Sequence, residues 1–285
     1  MSFEDGSKPP VVLIHGMWMT PASWDTWAHR FRDQGHEVLT PGWPGLGDRT
    51  PAEVRQNPEE LKGVGLLDIV DYYEAIVRGL PTQPIIMGHS FGGIFAQMLA
   101  DRGYGVAVVG VEPANTAGVL TLPASTLRTG LPVLGNPFRK NGASQITKRH
   151  FHYTFGNDLT RAESDLEWER SAIPSYNRVF FEGVLSLPRA KSGITHVNYQ
   201  KPERAPLLLV SGGIDHVAPP AIQEALEQKY AQGPSLVHRR EFPGRTHRIV
   251  SQQGWEEVAD FALDWSLRHG VPSPVPTDDY KKVTP

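Results

Sequence analysis

The chain contains no cysteine. Disulfides, thiolate nucleophiles and cysteine metal ligands are therefore excluded, and a reducing compartment suits the composition. No apolar run approaches the length of a membrane span. Met1 to Pro10 is polar and lacks the apolar segment of a secretory signal. A cytoplasmic protein is the expectation from these two features. Neither sign of charge dominates, since 28 Lys and Arg face 31 Asp and Glu for a net charge of −3. With no basic stripe, no nucleic-acid partner is expected. Internal repeats are also missing. What the chain does have is 285 residues, 28 glycines and 25 prolines. That length suits one large α/β domain or a core with an insert, and the Gly and Pro content points to tight turns rather than disorder.

The sequence is organised around Gly88-His89-Ser90-Phe91-Gly92-Gly93. Ile85-Ile86-Met87 precedes it as a short buried strand. Ile94, Phe95, Met98 and Leu99 follow at the spacing of a helix face. A G-x-S-x-G between strand and helix is the nucleophile-elbow pattern. Small neighbours at 88 and 92 let the backbone turn tightly and push the Ser90 hydroxyl out of the sheet. The start of the following helix offers free N–H groups and a positive dipole end to a developing oxyanion.

Strands and helices alternate around this point. Val11–Ile14, Glu37–Thr40 and Val106–Val111 read as strands, and Trp24, Trp27, Ala28 and Phe31 share one helix face. Leu66 to Leu80 repeats with helical period, whereas residues 48–65 read as polar and irregular. This rhythm predicts an α/β fold, mainly a parallel sheet with helices on both faces. It breaks at about residue 114. From there to 204 the chain is rich in Thr, Pro and Arg with scattered aromatics, and two helices are expected, near 160–170 and 175–186. The expected division is a first core part over 1–113, an inserted helical cap over 114–204, a second core part over 205–270 and a flexible tail over 271–285. In the second core part, Pro206–Val210 reads as a strand, Pro219 to Tyr230 as a helix, Leu236-Val237-His238 as the start of a last strand and 254–269 as the final helix.

A serine hydroxyl needs a base within hydrogen-bond reach, and the base needs an orienting acid. Residues just past the carboxyl ends of parallel strands converge on one rim. Ser90, Asp215 and His247 are three such residues, in that chain order. With His15-Gly16 after the first strand, the Ser90 elbow, the Gly213-x-Asp215 turn and the Gly244-x-x-His247 turn, the sequence resembles an α/β-hydrolase over nearly its whole length. The resemblance implies that Asp215 orients His247, that His247 deprotonates Ser90, and that Ser90 attacks a carbonyl. It also implies an oxyanion hole from the backbone N–H groups of Met17 and Phe91. His15-Gly16-x-Trp18 and Gly35-His36-x-Val38 are similar to the small esterase and hydroxynitrile-lyase branch. Lyases of that branch tend to have threonine where Gly16 stands and lysine where Arg248 stands, so both departures favour an esterase.

Glu112, also just past a strand end, competes with Asp215 for the role of acid, and otherwise reads as a polar residue of the pocket wall or a helix cap. Trp18, His89, Glu112 and Phe180 are the candidates for contact with substrate. Among 11 histidines, His15 reads as a support of the oxyanion loop and His216 as a support of the acid loop. His150-x-His152 lacks further ligands at a recognisable spacing, so no metal is expected, nor any other cofactor. The reading is a serine hydrolase cleaving a carboxylic ester, lactone, thioester or amide through an acyl-enzyme. The aromatic insert points to a small, apolar or aromatic ester. The same fold and triad also serve lyases, C–C bond hydrolases, perhydrolases and cofactor-free oxygenases, or a ligand receptor.

Overall fold

The computed structural model describes residues 8–271. Most of the two terminal segments considered above, residues 1–7 and 272–285, lies outside the described residues. Six parallel strands form the central sheet in the order β2-β1-β3-β4-β7-β8. They are β1 (Val11–Ile14), β2 (Val38–Leu39), β3 (Ile85–His89), β4 (Ala107–Val111), β7 (Leu207–Gly212) and β8 (Val237–Phe242). The inner strands β1, β3, β4 and β7 are buried at every residue. Their unbroken apolar runs follow from having both faces covered.

Alternate strand residues feed two cores. Val11, Leu13, Ile85, Met87 and Val109 pack with α1 (Asp25–Asp33) and α10 (Trp255–His269) on one face. Val12, Ile14, Ile86, Val108 and Leu209 pack on the other with α3 (Leu66–Arg78), α4 (Phe91–Asp101) and α9 (Pro220–Tyr230). Trp27 of α1 fixes one layer to the loop after β8, donating its indole N–H to the Val250 carbonyl at 2.9 Å. A short helix α2 (Pro51–Gln56) lies in the stretch expected to be irregular. It is amphipathic over too few residues to show a period. Its start is marked instead by Thr50 and Glu53, which form a reciprocal capping box, with Pro51 opening the helix.

Between β4 and β7 the chain leaves the sheet. It forms α5 (Ala124–Leu134), α6 (Lys148–Thr154), α7 (Arg161–Ser171) and α8 (Asn177–Ser186), with an antiparallel two-residue ladder of β5 (Ala143–Ser144) and β6 (Ser175–Tyr176). Four helices thus stand where two were expected. The two expected ones match α7 and α8. Helix α5 carries an internal Pro132, and α6 is only 7 residues long, so neither gave a readable period. Strand β8 runs well past its apolar start, through His238, Arg239 and Arg240, because it is an edge strand with partly exposed residues. No helix of the described residues is long and apolar enough to cross a membrane.

Candidate active site

Ser90 stands between β3 and α4 with φ of 56°. The elbow closes because residues 88 and 92 have no side chain. A Cβ on Gly88 would lie 2.0 Å from the Gly92 carbonyl oxygen, and one on Gly92 would lie 2.2 Å from that of Ile14. The turn is also tied to β4. The Ser90 N–H donates to the Val111 carbonyl at 3.0 Å, and the Ala114 N–H donates to the Ser90 carbonyl at 3.2 Å. Phe91 opens α4, so its N–H belongs to the first turn, where a helix leaves donors without internal partners.

Asp215 follows β7 and His247 follows β8, on the same rim of the sheet. His247 Nδ1 donates to Asp215 Oδ2 at 2.7 Å, with both side chains fully buried. The other Asp215 oxygen, Oδ1, accepts the Val217 N–H at 2.6 Å, which fixes the carboxylate. With its Nδ1 proton committed to Asp215, the imidazole has Nε2 free as a base. Nε2 is buried and has no hydrogen-bond partner, so the bond from Ser90 is not made in this state. Such bonds often tighten only with substrate in place.

His89 and Glu112 lie inside this assembly rather than on the cavity wall. The His89 ring sits 4.6 Å from that of His247 and, on its other side, 6.4 Å from Trp24. Its Nε2–H donates to the His247 backbone carbonyl at 3.0 Å. Burial, and then the nearby His247, push the His89 pKa well below its usual value, so the ring is a neutral strut. Glu112, with φ of 48°, places Oε2 3.4 Å from His247 Nδ1 and 3.5 Å from His89 Nε2. Burial, and then the charge of Asp215, raise its pKa well above the usual carboxyl range, with the Gly212 amide opposing. The donor atoms of His89, Glu112 and His247 lie within 4.8 Å of one another, the spacing of a metal site. The His247 donor is already bonded to Asp215, so this trio fits an acid–imidazole network better than a metal centre.

His15 holds the loop after β1. Its Nδ1–H donates to the Gly16 carbonyl at 2.9 Å, and its Nε2 accepts the Trp43 N–H at 3.2 Å. The bond accepted at Nε2 requires a neutral ring, and burial lowers its pKa from 6.5 to about 4. Met17 and Trp18 follow, and Trp18 has φ of 64°. The segment before β6 clamps this loop, with Ile173 N–H donating to the Trp18 carbonyl at 2.9 Å. His216 likewise ties the acid loop to α6, bonding the Tyr153 carbonyl at 2.8 Å and stacking on its ring.

Ser90 opens into a cavity enclosing about 580 Å³ of space between atoms, its mouth included. Trp18, Phe91, Ile94 and Ile222 line it from the sheet side, and Phe180, Gly183, Val184 and Leu187 from α8 and the residue after it. Phe180 bridges the two, with its ring 5.7 Å from Trp18 and 5.5 Å from Phe91. Of the four residues expected to contact substrate, Trp18 and Phe180 line the cavity, and His89 and Glu112 do not. Strand geometry is the reason for His89, which leaves β3 toward the α1 face while Ser90 turns upward. Asn115, Thr126 and Thr129 also line the cavity, and Phe155 lies 5.3 Å from the His247 ring. Nothing in the spacing of these four residues marked them beforehand.

A family described as the alpha/beta hydrolase family matches residues 11–261. No curated protein matches the chain. Among solved structures, the monoacylglycerol lipase of Paleococcus ferrophilus is 18% identical, with a TM-score of 0.64 over 92% of this chain and 96% of that one. An esterase of Thermogutta terrifontis is 16% identical, with a TM-score of 0.67 over 93% and 92%. An extracellular α/β-hydrolase of a Paenibacillus species, described as homologous to tobacco salicylic acid binding protein 2, is 19% identical, with a TM-score of 0.65 over 92% and 99%. At such identities the likeness is one of fold, and two of these three neighbours are named as a lipase and an esterase. Since the family match runs from the first residue of β1 into α10, the chain belongs to the alpha/beta hydrolase family.

Proposed function

We propose that the protein hydrolyses a carboxylic ester through an acyl-enzyme on Ser90. His247 Nε2 takes the Ser90 proton as Oγ attacks the carbonyl carbon, and returns it to the leaving alkoxide when the tetrahedral intermediate collapses. Asp215 holds the imidazole in the required tautomer and stabilises the imidazolium. The Met17 and Phe91 amides receive the oxyanion, about 3–4 kcal/mol for each such donor in comparable sites. Water then attacks the acyl-Ser90 carbonyl with His247 again as base, and a carboxylic acid leaves. Residues 114–204 act as the cap over this chemistry.

The observation that carries this reading is the buried 2.7 Å bond between His247 and Asp215 beside a serine held at positive φ. The cavity at Ser90 supports the substrate class proposed. Its wall is aromatic and aliphatic, with Asn115 and two threonines as the polar exceptions, so a small ester with an apolar acyl or alcohol group fits it. Hydrolysis rather than lyase chemistry is favoured at Gly16, where a Cβ would lie 2.9 Å from that of Ser90. The threonine common in the lyases would crowd the nucleophile.

The test is capture of the intermediate. After mixing with p-nitrophenyl butyrate and rapid acid quench, the intact protein should gain the mass of one butyryl group, located on the peptide holding Ser90. Turnover with no acyl adduct, undiminished in Ser90→Ala, would contradict the mechanism.

A further inference from the structure

We propose that the outer face of the insert, built by α5, the turn after it and the end of α8, docks on an anionic lipid surface. Helix α5 has its sides exchanged. A helix at a protein surface turns its apolar side chains inward and its polar ones to water. In α5 the buried residues are Thr129, Gly130 and Val133, while Leu127 and Leu131, one turn apart, are 50% and 61% exposed. Leu120, 63% exposed, and Leu122 lead into this helix, and Phe138 just beyond it is 97% exposed. Five of the twelve large apolar side chains exposed among the described residues thus fall between 120 and 138. Scattered apolar residues need no partner, but a concentration of this kind marks a contact surface.

The segments that carry these side chains lie side by side, with α5 antiparallel to α8. Midway along α5, a Cβ on Gly130 would lie 3.2 Å from the Phe180 ring. Beyond the end of α5, the Arg139 carbonyl accepts the Asn177 side-chain N–H at 2.8 Å, at the start of α8. Before the start of α5, the Gly118 N–H donates to the Leu187 carbonyl at 2.9 Å, just past the end of α8. Leu122 is both exposed and part of the cavity wall, so the cavity at Ser90 meets this face. An apolar molecule leaving a lipid layer here would enter the cavity with little contact with water.

The same segments carry cations and no acid. Neither 113–157 nor 183–202 contains an aspartate or glutamate. Arg139, Lys140, Arg189 and Lys191 are exposed there, and among the described residues none of them is in an ion pair. Arg128, between Leu127 and Leu131, has its guanidinium 3.7 Å from the Tyr153 ring centre and no carboxylate partner. The one acid of α8, Glu182, is turned to α3, accepting the Leu66 N–H at 2.7 Å and Arg178 Nε–H at 2.7 Å. Acids gather instead on α7, which packs against α2 and α6. Exposed apolar side chains among unpaired cations suit a layer of anionic headgroups over an apolar interior. Pairing this face with itself in a second copy would set cations against cations.

The test is co-sedimentation with vesicles of phosphatidylcholine, alone or mixed with phosphatidylglycerol, at about 0.1 M salt. Binding is read without turnover, so a wild type that hydrolyses no ester contradicts the proposed function and leaves this result standing. Wild type should pellet with the phosphatidylglycerol vesicles and stay in solution with phosphatidylcholine alone. Each cation lost should weaken binding about fivefold, so Arg139→Gln combined with Lys140→Gln should cost ~25-fold. Phe138→Ser should cost ~10-fold or more. Both variants should turn over p-nitrophenyl acetate as the wild type does, since neither touches the cavity. Wild type that stays in solution with both vesicles, or that binds both equally, overturns the inference. So do variants that pellet as well as the wild type. Absence of vesicle binding together with a dimer in sedimentation velocity that Phe138→Ser dissociates assigns the face to a second copy instead, and also overturns it.

Discussion

The turn at Ser90 closes only because its neighbours at 88 and 92 have no side chains. The Gly88 and Gly92 backbones come within contact of each other and of Ile14, so the elbow has no slack. Gly88→Ala should therefore cost about 3 kcal/mol or more, measured by urea denaturation, since its Cβ meets backbone atoms that cannot move aside. Ser90→Ala, by contrast, removes one oxygen from an intact turn. It should leave the melting temperature near that of the wild type and lower ester turnover by roughly 10⁴–10⁶. The elbow was legible from sequence because the steric demand fixes residue type at fixed spacing. The order of Ser90, Asp215 and His247 was legible for a related reason, since Ser90 and Asp215 each follow an apolar strand and His247 closes a Gly-x-x-His turn beyond the last one. The place of Glu112 was half legible. Its position after a strand put it near the acid, but whether it faces the cavity or His247 depends on a positive φ at residue 112 that no sequence pattern announces.

At the scale of elements, the inner strands of the sheet and helices α1, α3, α4 and α9 follow from hydrophobic pattern, whereas the stretch from β4 to β7 does not. Helix α6 begins at Thr147, whose side chain accepts the His150 N–H, and α7 at the reciprocal Thr160–Glu163 box. Capping residues marked both starts more clearly than periodicity did. Helix α8 brings Phe180, Gly183 and Val184 over Ser90, so it should set how large an acyl group the site accepts. Val184→Phe should narrow the cavity. In a series of p-nitrophenyl esters of increasing chain length, its optimum should move toward short acyl groups, with kcat/KM for acetate changed by less than about threefold while longer esters lose ~10-fold or more, the size of effect a few methylenes exert in an apolar pocket. An unchanged chain-length profile would remove α8 from the substrate wall.

For the whole molecule, the buried ionisable groups shape the dependence of stability on pH. His15 has its pKa lowered from 6.5 to about 4, and that of His89 is lowered as well. Below 6.5 the unfolded chain binds protons that the folded protein refuses, so stability falls as pH falls from about 6.5 toward 4. For His15 alone the loss by pH 5 is about 2 kcal/mol, at about 1.4 kcal/mol per pH unit. Glu112 acts in the opposite sense. Its folded pKa is raised, so above the usual carboxyl range the folded protein holds a proton that the unfolded chain has lost, and stability falls as pH rises. Together these give a maximum near neutral pH. Glu112→Gln should abolish the falling alkaline limb, raising the melting temperature relative to wild type by an amount that grows from pH 5 to pH 8. A constant difference across that range would contradict the protonation assigned to Glu112. None of this was visible in the composition, whose near balance of 28 basic and 31 acidic residues says nothing about which few are buried.

The role proposed for Ser90 is that of nucleophile in ester hydrolysis. It is tested most directly by turnover of p-nitrophenyl esters, from acetate to long acyl chains and an aromatic acyl group, by wild type and Ser90→Ala. The wild type should turn over these esters, with an optimum among apolar acyl groups that fit the cavity under Phe180, and Ser90→Ala should lose roughly 10⁴–10⁶ of that rate. Equal rates for the two proteins, or no turnover of any ester by the wild type, would contradict it.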